Sequence, residues 1–459
     1  MSFDIPKGLM VSVSGVRGKV GGALTPDVVA RFAAAFGAYL ARSGERPRVV
    51  LGRDSRTSGP LLSRAVSAAL EGVGCDVIDV GLVPTPTVLR AVRHHEADGG
   101  VIVTASHNPI EWNALKLASG EGMFLDGDQA AAMREELERR PPWKGWDGIG
   151  GRTRDDDAAR RHVEAILDLP YIDVEGLRQR RFRVALDCVH GAGAVTLPRL
   201  LEALGCEVRG IGLDPDGRFP RKPEPVAGNL GELEALVRET EADIGIATDP
   251  DADRLSLVDE KGHAIGEDYT LALATRLVLR HDAGAVVTNL SSSRVIEDAA
   301  ADAGAPFHRA PVGEINVARR MQKEGAVIGG EGNGGVILPA IHHTRDAQVA
   351  AALVLQLLLE TGSTPSGLVA SSPSYAIVKD SVDRPEGELA PAYDRLEARL
   401  GAPVSDRQDG LWLGWPEDGK WLHFRPSGTE PIVRMIAEAP ASAEARALVE
   451  AARRELQSD

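Results

Sequence analysis

Four short segments of this chain carry residue types whose spacing could do chemistry. The first is "VTASHNP", residues 103–109, which sets a hydroxyl at Ser106 beside an imidazole at His107 and an amide at Asn108. A hydrolase nucleophile elbow needs G-x-S-x-G. Here Thr104 and Asn108 occupy the flanking positions, so that chemistry is excluded. Taken alone, the segment also reads as a polar turn or a helix cap at the end of a strand. The second is "DPDADR", residues 249–254, with carboxylates at Asp249, Asp251 and Asp253. Three carboxylates this close repel one another unless a cation neutralises them, and hard oxygen ligands suit Mg²⁺ or Ca²⁺. An EF-hand needs Gly at its sixth position, where Arg254 stands, although Glu260 falls at the twelfth. The apolar runs "DIGIAT" and "LSLVD" on either side predict strands, not helices, so the EF-hand is rejected.

The third segment, "GEGNGG" (330–335), formally matches G-x-G-x-x-G, but "VILP" follows it, which reads as a strand where a dinucleotide fold needs a helix. The remaining readings are a glycine loop presenting Glu331 and Asn333 to sugar hydroxyls, and a plain hairpin. The fourth, "RPSGTEP" (425–431), offers the guanidinium of Arg425, the hydroxyls of Ser427 and Thr429, and Gly428 as a hinge for backbone N–H groups, with Arg434 on the next run. That set suits a phosphate. A Walker loop, GxxxxGK[ST], is absent throughout.

Alternating strands and helices must hold these loops. "TPDVVARFAAAFGAYLARSG" (25–44) reads as a helix with Thr25 as N-cap and Gly44 as stop; "PRVVLGRDSR", "GCDVIDVG" and "GGVIV" read as strands. The Pro-, Gly- and charge-rich stretch 140–157 reads as a linker, after which the pattern restarts at 181 and again at 284. The last ninety or so residues hold three strand-like runs and a closing helix, an α+β pattern. With 459 residues and roughly 100–200 per domain, three or four domains are expected. The net charge of −15 argues against nucleic acid as a partner and requires any phosphate site to gather its own positive charge. Cys75, Cys188 and Cys206 are scattered, with no CxxC, as in a reducing compartment. Neither a signal-peptide core nor a run of about 18 apolar residues is found, so no membrane partner is expected and the placement is cytoplasmic.

The four loops in this order resemble the α-D-phosphohexomutase family, whose motifs are T-A-S-H-N-P, D-x-D-x-D-R, G-E-x-S-G and R-x-S-G-T-E-P. The resemblance extends over the whole chain and includes "SGVRG" (14–18), "GRDSRTSG" (52–59) and "DCVHGAGAVTLPRLLEALGCEV" (187–208). It implies three similar α/β domains with mixed sheets and a smaller α+β C-terminal domain around a central cleft. The expected spans are 1–148 with the serine loop, 155–262 with the metal loop, 263–368 with the sugar loop and 369–459 with the phosphate loop.

The resemblance implies an isomerase acting through a phosphoserine at Ser106 and a hexose 1,6-bisphosphate intermediate. One Mg²⁺ per chain would be held by Asp249, Asp251, Asp253 and a phosphoserine oxygen of Ser106. Arg254 would add positive charge there. Glu331 and Asn333 would hold sugar hydroxyls, and Arg425, Ser427, Gly428, Thr429 and Arg434 the non-reacting phosphate. Arg17 and Lys116 would lie at the reacting end, Lys116 as a candidate acid/base. His107 would orient the serine loop, assist proton movement or serve as a structural hydrogen bond. Two departures stand out: Ala114 replaces Gly in the usual N-G-x-K, and Asn333 replaces Ser in G-E-x-S-G. The motif set is closest to phosphoglucosamine mutases; a phosphomannomutase/phosphoglucomutase of dual specificity is the alternative. The partner is a sugar phosphate, and the chain is expected as a monomer or homodimer.

Overall fold

The computed structural model describes residues 4–43, 46–427 and 432–456. The first sheet has seven strands in the order Met10–Ser12, Gly15–Lys19, Trp112–Ser119, Gly99–Val103, Arg48–Arg53, Asp76–Leu82, Arg152–Arg154. The last four run parallel and the first three antiparallel. Strand alternation builds two cores, one on each face. Val49, Leu51, Val101 and Val103 face a cluster with Phe32, Phe36, Leu62 and Leu70, while Val50 and Ile102 face Val88, Leu89 and Val92.

The second sheet runs Leu255–Val258, Ile244–Thr248, Arg183–Asp187, Glu207–Ile211, and the third Phe307–Ala310, Val286–Asn289, Ile328–Glu331, Gly335–Ile337. Each has three parallel strands and one antiparallel strand. In all three sheets the loop between the last parallel strand and its antiparallel neighbour carries a motif: 104–111, 249–254 and 332–334. Loops at the C-terminal ends of parallel strands are where α/β sheets place ligands. The fourth sheet is antiparallel, Ala376–Asp383, Ile432–Ala439, Lys420–Pro426, Leu411–Trp415, Val404–Asp406, with helices Ala390–Leu400 and Ser442–Leu456 in its core. Mixed α/β sheets followed by an α+β unit are the fold class expected from the sequence.

Several local expectations change. The first helix is Pro26–Leu40 followed by a 3₁₀ turn, Ala41–Ser43; Thr25 sits at the cap position without a side-chain capping bond, and Gly44 lies outside the described residues. The stretch read as a linker contributes strand Arg152–Arg154 to the first sheet. No helix follows the serine loop; the chain turns back as the antiparallel strand Trp112–Ser119. Strands Ala376–Asp383 and Val404–Asp406 add to the three runs read in the C-terminal part. No helix among the described residues is long and apolar enough to cross a membrane.

Helix Ala347–Thr361 is apolar all round, buried from Ala347 to Leu358, and its core joins the second and third sheets. Its cap is Asp346, whose Oδ1 accepts from the N–H groups of Gln348 and Val349. Its Oδ2 lies 2.7 Å from His162 Nε2 and 2.8 Å from His342 Nε2, and His162 Nδ1 lies 2.8 Å from Thr87 Oγ1. All four residues are buried, so one carboxylate joins segments of three domains. Burial alone would raise the Asp346 pKa; the two imidazoles overcome it and hold it below the usual range. Asp346→Ala removes a cap and leaves two buried imidazoles without their acceptor. It is expected to cost about 3–5 kcal/mol and to lower the thermal midpoint, as calorimetry would show; an unchanged midpoint would contradict this account of the junction.

Candidate active site

Asp249, Asp251 and Asp253 follow strand Ile244–Thr248 and are completely buried. Their ligand oxygens lie within 4.8 Å of one another. The turn that converges them places Ala252 at φ 50°, a left-handed value that costs a non-glycine residue energy. Loop 188–192 supports it from below: Ala192 N–H donates to Pro250 O at 2.7 Å, with Val189 and His190 also left-handed.

Groups from two other domains sit on this turn. Ser106 Oγ donates to Asp249 Oδ2 at 2.8 Å, and Thr85 Oγ1 to Asp251 Oδ2 at 2.6 Å. Lys116 Nζ lies 2.7 Å from Asp251 Oδ2 and 3.4 Å from Asp253 Oδ2. Arg345 Nη2 donates to Asp253 Oδ2 at 2.7 Å. Burial, then the neighbouring Asp251 and Asp253, push the Asp249 carboxyl well above its ordinary pKa. Burial would do the same to Asp251, but the Lys116 ammonium overrides it and the pKa falls. In return, Asp251 and Asp253 overcome the burial of Lys116 and raise its pKa, so it stays an ammonium. Asp251 Oδ1 and Asp253 Oδ1 are buried without a hydrogen-bond partner. A buried, unpartnered carboxylate oxygen is costly. Two of them on an all-oxygen turn fit a hard divalent cation.

The serine loop is held in a strained shape. Ser106 has φ 48°, which costs roughly 1–3 kcal/mol. Its N–H donates to Thr104 Oγ1 at 3.0 Å, and Thr104 Oγ1 donates to Asp54 Oδ2 at 2.6 Å. The clamp is Arg56, fully buried and paired with Asp54 at 3.0 Å. Its guanidinium donates to the carbonyls of Ser106, Asn108, Pro109 and Trp112 at 2.5, 2.6, 2.7 and 3.0 Å. Arg17 Nη1 donates to Asn108 Oδ1 at 2.6 Å, and Arg17 lies opposite Ala114 on adjacent strands. Ala114 is an ordinary strand position without positive φ, which accounts for the replacement of Gly. His107 Nδ1 lies 3.4 Å from Ser106 Oγ. Burial, and then Arg254 and Arg17, lower its pKa to about 2, so it is neutral.

Arg254 Nη1 pairs with Glu224 at 3.2 Å, and its Nε lies 3.8 Å from Asp253 Oδ1. The glycine loop meets the acidic turn through its backbone: Leu255 N–H donates to Gly334 O at 2.9 Å. Gly334 has φ +88°, and a Cβ there would lie 2.3 Å from Leu255 O, so only glycine allows the approach. Glu331 is buried and engages both oxygens with protein. Oε1 accepts from Asn289 Nδ2 at 2.8 Å and Gly313 N at 3.1 Å, and Oε2 from Arg345 Nη1 at 2.7 Å. Asn333 Nδ2 is only loosely joined to Glu331, at 3.5 Å. Arg425 and Arg434 are paired across adjacent strands, Arg425 Nε lying 2.9 Å from Asp409 Oδ2. Ser427 N–H donates to Ile432 O at 2.8 Å; Gly428 and Thr429 lie outside the described residues.

The structure thus joins Ser106, His107, Lys116 and Arg17 with the acidic turn, and links the glycine loop to it through Arg345. Sequence reasoning assigned no role to Arg56, Asp54, Thr85, Arg345, Glu314 or Asn289. Arg56 lay inside the quoted "GRDSRTSG", but nothing local tells a clamping arginine from a solvated one.

Two predictions arise here. Arg56→Met takes the donor from four loop carbonyls at once, so the serine loop should lose its shape and activity should fall at least ~10²-fold; steady-state kinetics would measure it, and near-wild-type turnover would contradict the clamp. The second concerns the seat of the C-terminal domain, where His423 Nδ1 lies 2.8 Å from Ser291 Oγ and Nε2 2.7 Å from Asp409 O. Burial lowers its pKa to about 4. The unfolded imidazole titrates near 6.5, so the unfolded state binds more protons between these values and stability falls as pH drops through that window. Urea titrations at pH 7 and pH 5 should show the loss, and His423→Asn should flatten it.

Comparison with known proteins gives one consistent picture. Four domain profiles match in order, all described as phosphoglucomutase/phosphomannomutase: α/β/α domain I over residues 9–142, domain II over 160–262, domain III over 266–375 and the C-terminal domain over 383–455. The chain is 39% identical to a probable phosphoglucosamine mutase of Methanopyrus kandleri, covering 96% of each chain. It is 38% identical to a phosphoglucomutase/phosphomannomutase of Thermococcus kodakarensis, over 96% of this chain and 97% of the other. An X-ray structure of a phosphoglucomutase/phosphomannomutase family protein from Burkholderia thailandensis superposes with a TM-score of 0.84 at 28% identity, covering 98% and 97% of the two chains.

Proposed function

The chain belongs to the phosphoglucomutase/phosphomannomutase family and is a phosphohexomutase, an isomerase, and on that premise we propose that Ser106 is its phosphoryl carrier and glucosamine phosphate its substrate. The observation that carries the site assignment is Ser106 Oγ at 2.8 Å from Asp249, on a turn with two unpartnered buried carboxylate oxygens. Asp249, Asp251, Asp253 and a phosphoserine oxygen would hold Mg²⁺. When bound, the ion withdraws charge from the transferring phosphoryl group and orients it.

The chain's own residues do the rest. The phosphoserine Oγ–P bond breaks as an O–P bond forms to the free hydroxyl of a hexose monophosphate, giving a hexose 1,6-bisphosphate. Lys116, an ammonium beside the acidic turn, is the proton carrier on this reading: it gives a proton to Ser106 Oγ as the Oγ–P bond breaks and takes up the proton released by the hydroxyl, and the return transfer runs the same exchange in reverse. His107 stays neutral and orients Ser106 through its Nδ1. Arg56 fixes the loop so that Oγ and the acidic turn keep their geometry between turnovers. The bisphosphate then reorients and returns its other phosphoryl group to Ser106.

Arg425, Ser427, Gly428, Thr429 and Arg434 would grip the phosphate that is not reacting, with Arg254 and Arg17 adding charge near the reacting end. Asn333 is half-buried, with Oδ1 accepting from Gly335 N–H at 3.2 Å and Nδ2 only loosely joined to Glu331, so its Nδ2 is the more available sugar contact; Glu331 reads a hydroxyl once that Nδ2 gives way. Glucosamine phosphate is favoured by the motif set and by the Methanopyrus relative. The Thermococcus relative supports the second reading, a dual glucose/mannose phosphate enzyme.

Intact-mass measurement of purified protein should show a phosphoryl adduct that disappears in Ser106→Ala together with mutase activity. Survival of activity in that variant would refute the phosphoserine. Asp251→Asn should cut Mg²⁺-dependent turnover by ~10³-fold or more, in line with removing a metal ligand and the partner of Lys116. The sugar is decided by kcat/KM across glucosamine, N-acetylglucosamine, glucose and mannose phosphates. Glucosamine phosphate should lead by at least ~10-fold; mannose or glucose phosphate in first place would favour the second reading.

A further inference from the structure

The first domain carries a second cationic cavity that no step of the mechanism uses. It encloses about 320 Å³ at the C-terminal ends of strands Arg48–Arg53, Asp76–Leu82 and Arg152–Arg154. Four guanidiniums line it: Arg53, Arg64, Arg152 and Arg154. Arg53 and Arg64 come from a strand and the helix that follows it, and Arg152 and Arg154 from a strand about 90 residues on, in a chain whose net charge is −15.

The counter-charge is incomplete. Asp79 serves both Arg152 and Arg154, and Arg154 also pairs with Asp156 at 2.7 Å. Arg53, more than half-buried, has as its hydrogen-bond acceptor the backbone carbonyl of Asp54, at 3.0 Å. Its burial outweighs the pull of Asp54 and Asp79 and lowers its pKa. Arg64 makes no ion pair with any described residue. Asp79 is the one carboxylate among the lining residues; Arg53 is mostly buried, while Arg64, Arg152 and Arg154 reach solvent at the cavity mouth. Independently, Ser63 Oγ, on a residue lining the same cavity, is buried without a hydrogen-bond partner. Gly81, at φ +73°, leaves room for Arg154 to lie over the strand end, since a Cβ there would be 2.7 Å from its Nη2. Under-neutralised guanidiniums with an idle hydroxyl at parallel strand ends are the chemistry of a phosphate site.

We propose that this cavity binds a small phosphate-bearing anion, either free orthophosphate or the phosphate of a metabolite, at a site separate from the catalytic cleft. Three strand positions separate strand Gly99–Val103, which leads to Ser106, from strand Arg152–Arg154. The cavity therefore extends from the strand next to Gly99–Val103 outward to the sheet edge, roughly 5 to 14 Å away at about 4.8 Å per strand. The volume falls at the lower end of small-ligand sites, about 300–1,000 Å³, and exceeds what one phosphate fills.

The test uses the full chain. Crystals soaked in tungstate should show an anomalous peak among Arg53, Arg64 and Arg154, besides any peak at the catalytic loops. The peak should be absent in Arg64→Gln/Arg154→Gln. In solution, equilibrium dialysis of Ser106→Ala with labelled orthophosphate should lose one equivalent per chain, or weaken at least ~10-fold at that site, when the same pair is changed. The pair in the Ser106 protein should leave basal mutase activity unchanged. Arg160→Gln/Arg180→Gln, which removes the same charge elsewhere, should leave the binding intact. Phenyl phosphate competing more tightly than orthophosphate assigns the site to a metabolite; equal competition assigns it to the free ion. A tungstate peak confined to the catalytic cleft, a peak that persists in the double variant, or equal losses in the control pair would each overturn the proposal.

Discussion

Three carboxylates buried on one short turn are the constraint around which the protein is arranged. Asp249, Asp251 and Asp253 have no exposed surface, and like charges at that spacing cannot all remain ionised without cations. The first domain answers with Lys116, and the third with Arg345. Hydroxyls of Ser106 and Thr85 complete the contacts from the first domain. The turn is therefore the electrostatic seat of an assembly of three domains. Two carboxylate oxygens are still left without hydrogen-bond partners, which is the deficit a divalent cation would fill.

One architectural device delivers each loop to that seat. In each of the first three sheets a parallel strand ends, a short loop crosses its C-terminal edge, and the chain returns antiparallel. The return strand ties down both ends of the loop, so a hydroxyl, a set of carboxylates or a glycine-rich backbone can be held without a helix behind it. The serine loop needs more, because Ser106 is left-handed. Arg56 supplies it with donors to four carbonyls, balanced by Asp54. Such a buried guanidinium converts a strained turn into a fixed one.

Arg345 connects this chemistry to the glycine loop. Its guanidinium bridges Asp253 of the acidic turn and Glu331, and its Nε lies 3.0 Å from Glu314. It stands one residue before Asp346, the cap that also gathers His162 and His342. Adjacent residues thus serve the catalytic cleft and the domain junction, so the packing of helix Ala347–Thr361 and the position of the glycine loop are not independent.

The sequence by itself determined the fold class, because alternation of apolar residues and the Gly and Pro punctuation are local signals. It also placed the acidic turn between strands, since Arg254 at the EF-hand glycine position and the flanking apolar runs exclude the rival. The roles expected of Ser106, Lys116 and Arg17 came only from resemblance to a family; no local spacing gives them. Only the tertiary structure decided which groups meet: Ser106 and Asp249 are 143 residues apart, and Lys116 reaches Asp251 across a domain boundary. It alone revealed Arg56 as a clamp, Thr85 and Arg345 as partners of the acidic turn, and Glu331 as already engaged by protein. The physical reason is the same in each case. A pattern along the chain reports which face of an element is buried, whereas the partner of a buried charge is chosen by packing between distant segments.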